Sequence, residues 1–226
     1  MKTIAIYHNK GGVGKTTTAV NLAAAFRNKG KQVLLVDIDA QANSTFATGL
    51  IKFQFDEDDD LKDNNVCHLF SSGEFNFIPD IVRKSKGFNN PEIDVVPSHI
   101  MLIEERERLS RMAHIPFRLN AKLQQVEDKY DVVIIDAPPS RDLYAQIALI
   151  ASDYLIIPSD MKPYANQGLV NVKNFIAEVN ETRSAIGKDN LEILGVLPSK
   201  VLTNQKYLDY AFPRQRDNVL HRYGFP

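Results

Sequence analysis

Cysteine occurs once in the 226 residues, as Cys67. A single thiol closes no internal disulfide and builds no zinc site by itself. It also argues against an iron–sulfur reductase, which needs paired cysteines to bridge a cluster between subunits. The histidines at 8, 68, 99, 114 and 221 show no metal-ligand spacing. No stretch approaches the roughly 20 apolar residues that span a bilayer. The start, Met1-Lys2-Thr3-Ile4-Ala5-Ile6-Tyr7, enters a strand-like run where a secretory leader would need a longer apolar region. A cytoplasmic protein is expected, with no membrane partner. Excess charge of either sign is lacking too: the net charge is −1. That balance leaves nucleic acid open, because clustering decides there.

Two clusters stand out. Asp56 to Asp60 is an acidic run, read as a solvated loop. From Pro198 onward, Lys200, Lys206, Arg214, Arg216 and Arg222 stand against Asp209 and Asp217. An ordinary charged helix surface gives the same pattern. The Phe53–Phe55 and Phe75–Phe77 pairs are read as local packing.

What the chain does have is alternation. Strand-like runs at Lys2–Tyr7, Gln32–Val36, Ile93–Val96, Asp131–Ile135, Tyr154–Ile157 and Leu191–Leu197 alternate with helical patterns. The helices are expected at Thr16–Asn28, Ile100–Met112, Arg118–Lys129, Tyr144–Ala151, Gly168–Glu181 and Gln205–His221. Strands so uniformly apolar are covered on both faces. The expected fold is α/β, a doubly wound, mostly parallel sheet with helices on both faces. One domain over 1–226 is expected, with an irregular insertion at 52–90 carrying one short helix.

The first strand runs into His8-Asn9-Lys10-Gly11-Gly12-Val13-Gly14-Lys15-Thr16-Thr17, and a helix follows. Strand, glycine-rich turn and helix form the context of a phosphate-binding loop. Glycines let backbone N–H groups approach phosphate oxygens, and the helix start turns its positive dipole end to the anion. Lys15 supplies charge near the β- and γ-phosphates, and the Thr16 hydroxyl can ligate Mg²⁺. The strict pattern has glycine where Asn9 stands. Magnesium also needs carboxylates, and strand ends offer them at Asp37-Ile38-Asp39 and at Asp136. Capping of the following turns is the plainer reading of each.

The motifs then go beyond a generic loop. Lys10-Gly-Gly-Val-Gly-Lys15-Thr16-Thr17 carries a second lysine and resembles the deviant Walker motif of the ParA/MinD family of partition and positioning ATPases. The likeness continues in Val36–Asn43, with Ala40 where the family usually has proline. It continues in Asp94–Ser98, Tyr130–Ser140 and Gly195–Pro198, and is nearest the ParA branch. The resemblance implies ATP and Mg²⁺ as cofactors, Gly11 to Thr17 around the phosphates, and a face-to-face homodimer in which Lys10 reaches the partner's nucleotide. It implies that Lys15 acts on its own nucleotide, that Asp39 positions the attacking water, and that Asp37 supports the magnesium waters. Asp136 matches the Walker B aspartate, and Pro198 to Lys200 would lie near the adenine. It further implies slow, dimerisation-coupled ATP hydrolysis, non-specific double-stranded DNA as partner, nucleoid association, and a ParB-like adaptor. Lys200, Lys206, Arg214, Arg216 and Arg222 are the candidate DNA contacts. A MinD-like membrane-cycling ATPase is the alternative, and a P-loop ligase a third reading.

Overall fold

The computed structural model describes residues 1–51 and 58–226. The Phe53–Phe55 pair and the first two residues of the acidic run lie outside that set. Seven strands form one sheet in the order β3-β4-β2-β5-β1-β6-β7. They are β1 Lys2–Ile6, β2 Val33–Asp37, β3 Arg83–Lys84, β4 Asp94–Val96, β5 Val132–Asp136, β6 Tyr154–Ser159 and β7 Glu192–Pro198. Every pairing is parallel except that of β3 with β4.

The period of two in the strands divides the core into two layers. Ala5, Leu34, Val36, Val133 and Ile135 face one layer. Ile4, Ile6, Val33, Leu35, Val132 and Ile134 face the other. Helix α1 (Lys15–Asn28) covers the second layer through Ala19, Val20 and Ala23, and the short α2 (Asn43–Ala47) follows β2. Helices α5 (Met101–Ser110), α6 (Ile115–Gln124), α7 (Leu143–Ala151) and α8 (Pro163–Ala185) contribute to the first. Each fully buried Val, Leu or Ile adds about 1.5–3 kcal/mol of transfer free energy.

Local chemistry sets the boundaries. Helix α1 begins after Gly14 (φ 90°) and stops before Gly30 (φ 79°), both in the left-handed region. Asp142 caps α7 by accepting the Tyr144 and Ala145 N–H groups at 3.1 and 3.3 Å. Three expectations are corrected. The helix expected at Arg118–Lys129 starts earlier, because Pro116 suits a first turn, and its regular part ends at Gln124. The stretch expected to be an irregular insertion carries two short helices, α3 (Val66–Ser71) and α4 (Ile78–Ile81), besides β3. Val66, Leu69, Phe70, Ile78 and Ile81 lie in the main core, so this region completes a layer. The helix expected at Gln205–His221 is interrupted: a π-helical turn at Tyr207–Ala211, helix α9 at Phe212–Asp217, then a second π turn at Asn218–Tyr223. Pro213 lies at that junction and has no N–H to give.

Candidate functional site

The carboxyl ends of β2, β5 and β1 lie side by side, with Asp37 in register with Asp136 and Asp136 with Ile6. Ligands in open parallel sheets bind beyond such ends. The loop from Tyr7 to Gly14 leaves β1 there. Tyr7 is buried, and its hydroxyl donates to the Ser140 carbonyl at 2.8 Å. Gly12 and Gly14 hold φ of 71° and 90°, a region strained for side-chain-bearing residues. Neither Gly11 nor Gly12 has anything within 4 Å of where a Cβ would stand, leaving the cradle open. No side chain caps the start of α1, so its first N–H groups face that cradle.

The two lysines of the loop differ. Lys15 is 7% exposed and donates from Nζ to the Lys10 carbonyl at 3.1 Å. Burial pulls its amine below the usual lysine range, and the Asp136 and Asp39 charges oppose that. The Lys10 side chain is 33% exposed and pairs with Asp160 at 3.2 Å, at the end of β6. Asp160 carried no sequence signal, because only the sheet brings it to the loop.

A buried polar network lies beneath the loop. Asp136 Oδ2 accepts from the Thr16 hydroxyl at 2.8 Å and the Ser44 hydroxyl at 2.7 Å. Asp37 Oδ2 accepts from the N–H and the hydroxyl of Thr45, both at 2.8 Å. Burial first, and then the Asp136 charge, push the Asp37 carboxyl above the usual carboxylate range. Burial also raises that of Asp136, against the two hydroxyls that lower it. Asp39 stands half-buried; its Oδ1 accepts the Gln41 N–H at 3.0 Å and its carbonyl the Ser98 hydroxyl at 2.7 Å. Ser44 and Thr45 are site residues that the sequence motifs did not single out, and Ser98 is one to which its motif assigned no role.

Asp136 Oδ1 is buried and unpartnered, and it lies on the carboxyl that holds Thr16. A hard cation beside these oxygens would satisfy it. Among the described residues no cluster of three His, Cys, Asp or Glu side chains could hold a metal alone. The residues therefore fit Mg²⁺ held by few protein oxygens, with phosphate and water completing the shell.

A cavity of about 480 Å³ opens above the network, lined by Gly11 to Thr17 without Val13, and by Asp39, Gln41, Asn43, Pro139 and Lys200. Val13 is buried beneath the loop, and its carbonyl accepts the Ser199 hydroxyl at 2.7 Å. The turn after β7 is thus fastened to the phosphate loop. Lys200 reaches the cavity from a left-handed backbone position (φ 53°), whereas Pro198 ends β7 and does not line it. The five basic candidates for DNA are therefore not one set. Lys206, Arg214, Arg216 and Arg222 belong to the C-terminal helical stretch, and Arg216 pairs with its neighbour Asp217 at 3.1 Å.

Fold, loop and buried carboxylates together define a P-loop nucleotide-binding protein. Residues 1–193 match the AAA domain family. The chain is 36% identical over 215 residues to the virulence plasmid ParA family protein pGP5-D of Chlamydia psittaci, covering 92% of this chain and 74% of that one. It is 37% identical over 182 residues to the sporulation initiation inhibitor protein Soj of Bacillus subtilis (strain 168), covering 80% of this chain and 66% of Soj. Among solved structures, cobyrinic acid a,c-diamide synthase from Mycobacterium smegmatis, with bound ATP analog and magnesium, superposes with a TM-score of 0.85. That match is 26% identical and covers 100% of this chain and 84% of the other. A plasmid partition protein from Borrelia burgdorferi gives 0.71 at 26% identity, covering 92% and 82%. The chain belongs to the ParA/MinD family of P-loop ATPases. It spans about two thirds of the length of Soj.

Proposed function

We propose that the chain is the ATPase of a partition or positioning system, working as one domain over residues 1–226. The observation that carries this reading is the contrast between Lys15, turned into its own loop, and Lys10, half-exposed on Asp160. Lys15, Thr16 and Thr17, with the N–H groups of Gly11 to Gly14, bind the phosphates. Thr16 and Asp136 hold Mg²⁺, and Asp37, anchored on Thr45, supports its water shell. Bound there, Mg²⁺ neutralises charge on the phosphates. Asp39 orients the attacking water from a carboxyl fixed by Gln41. Lys10 leaves Asp160 and reaches the nucleotide of a second copy. A cation delivered in trans acts as an arginine finger does, so turnover is slow and coupled to dimerisation.

The ATP-bound dimer binds double-stranded DNA without sequence preference, in the cytoplasm on the nucleoid, and a ParB-like adaptor triggers hydrolysis. Lys206, Arg214, Arg216 and Arg222 are the proposed phosphate contacts, and Lys200 serves the nucleotide cavity instead. The test is binding to a random-sequence duplex with ATP and with ADP at two salt concentrations. Salt-sensitive binding with ATP alone supports the reading, because phosphate contacts release counterions. Equal binding in both nucleotide states refutes it.

One observation favours a membrane-cycling reading. Leu202, Leu208, Tyr210 and Leu220 are exposed in the C-terminal stretch, although no described helix is long and apolar enough to cross a membrane. Pelleting with anionic liposomes in ATP separates the two. Turnover of ATP with no added small molecule argues against a ligase.

A further inference from the structure

His8 is fully buried at the base of the phosphate loop, where the family motif assigns it no task. Its Nδ1 accepts the Lys10 backbone N–H at 3.0 Å. Its ring packs on helix α8 at a point where only glycine fits. A Cβ on Gly168 would stand 2.8 Å from His8 Cε1 and 2.9 Å from Asn9 Oδ1. The ring is thus held between helix and loop, with Nδ1 bonded to Lys10 and the Ala165 backbone of α8 also bearing on it. The carbonyl of the same residue, in the next peptide plane, accepts from Lys15 Nζ, and its side chain reaches Asp160. Gly11 and Gly12 follow and leave the backbone wide freedom, so these hydrogen bonds are what hold Lys10 on that side.

We propose that His8 is a positioning residue for both loop lysines, acting through the Lys10 backbone; its effect on turnover rests on the ATPase reading above. The accepted N–H fixes the Asn9–Lys10 peptide plane and the place of the Lys10 Cα, and with the next carbonyl tied to Lys15 Nζ this holds the seat of Lys15. It also fixes the direction in which the Lys10 side chain leaves the loop. The ring can accept because it is neutral: burial, with the Lys15 charge next, holds its pKa down to about 4. Asparagine can accept the same N–H two residues on, in an Asx turn. Alanine cannot.

The experiment compares the whole chain with His8→Asn and His8→Ala, first by residue-resolved amide exchange of Lys10 without nucleotide. Lys10 should exchange about tenfold faster in His8→Ala than in the parent, and His8→Asn should restore the protection. ATP turnover should follow the same order, with kcat reduced about tenfold in His8→Ala and binding of a fluorescent ATP analogue changed by less than about threefold. If His8→Ala does not fold, Gly168→Ala displaces the same ring while keeping its chemistry, and should also expose Lys10. Unchanged Lys10 exchange in the alanine variant overturns the assignment. So does a His8→Asn protein as defective as His8→Ala, because ring packing would then be the cause. A parent protein that turns over no ATP overturns the ATPase reading, while amide exchange still decides the role of His8.

Discussion

The two ends of the sheet are built differently. At the amino end, the buried Arg183 and the half-buried Lys188 each find several acceptors. Arg183 donates to the carbonyls of Leu149, Ile150, Ser152 and Asp189, closing the end of α7. Lys188 donates to Asn120 Oδ1 and the Ala151 carbonyl. At the carboxyl end, buried polar atoms are left without partners: His8 Nε2, Asn9 Oδ1, Asp136 Oδ1, Ser140 Oγ and Asn166 Oδ1. Among the described residues, buried side-chain atoms of this kind occur at the end of β5, on the loops after β1 and β5 and in the first turn of α8, and not at the other end. Buried polar groups without partners cost stability, so a fold keeps them where a ligand supplies the partner. One end is built for stability and the other for binding.

The comparison can be broken most forcefully at the carboxyl end. Lys15→Ala should lower ATP turnover at least about a hundredfold and leave the melting temperature nearly unchanged. A fully active variant would show that the cavity is not the nucleotide site. At the amino end the signs reverse. Arg183→Met strands three or more carbonyls and should cost about 3 kcal/mol of unfolding free energy, read by urea titration. Nucleotide affinity measured on the folded fraction should not change.

His8 sharpens the contrast through pH. Its pKa is depressed, so its neutral form belongs to the folded state. The associated stability is present above the unfolded value near 6.5 and is lost as pH falls towards about 4. Unfolding free energy should drop by up to about 1.4 kcal/mol per pH unit in that window. His8→Asn should remove this part of the slope. The charged groups that bear on the ring are Lys15, Lys10 and Asp160.

Smaller effects are expected at the rim. Asp160→Asn removes an ion pair at the cavity rim, partly open to solvent on the Lys10 side, and frees Lys10. Such pairs contribute about 0.5 kcal/mol, so the ATP-dependent dimer fraction should rise about twofold by analytical ultracentrifugation. Ala40→Pro should change turnover least. Asp39 is already held through Gln41 and Ser98, so the proline mainly restricts the unfolded chain, adding about 0.5 kcal/mol of stability.

Much of this was legible in the residues themselves. Continuous apolar runs marked the strands and a period of 3.6 marked α1, because a strand covered on both faces needs apolar residues at every position and a helix only along one face. The glycines at 12 and 14 determined the loop, because left-handed backbone excludes most other residues. Asp37 and Asp136 could be placed beside the phosphates because each ends an apolar strand. The segment around α3 and α4 was not legible: its apolar residues carry no clear period, and only packing on the sheet makes them core. Nor were Asp160, Ser44 and Thr45, which have no motif of their own, or the hydrogen bonds of Ser98 and Ser199 inside their motifs. Each acts through a hydrogen bond or ion pair to a residue brought close by the sheet order. Sequence determined which groups can bind a nucleotide; tertiary structure alone decided which of their hydrogen bonds the protein satisfies itself, because distance across strands is set by packing and not by spacing along the chain.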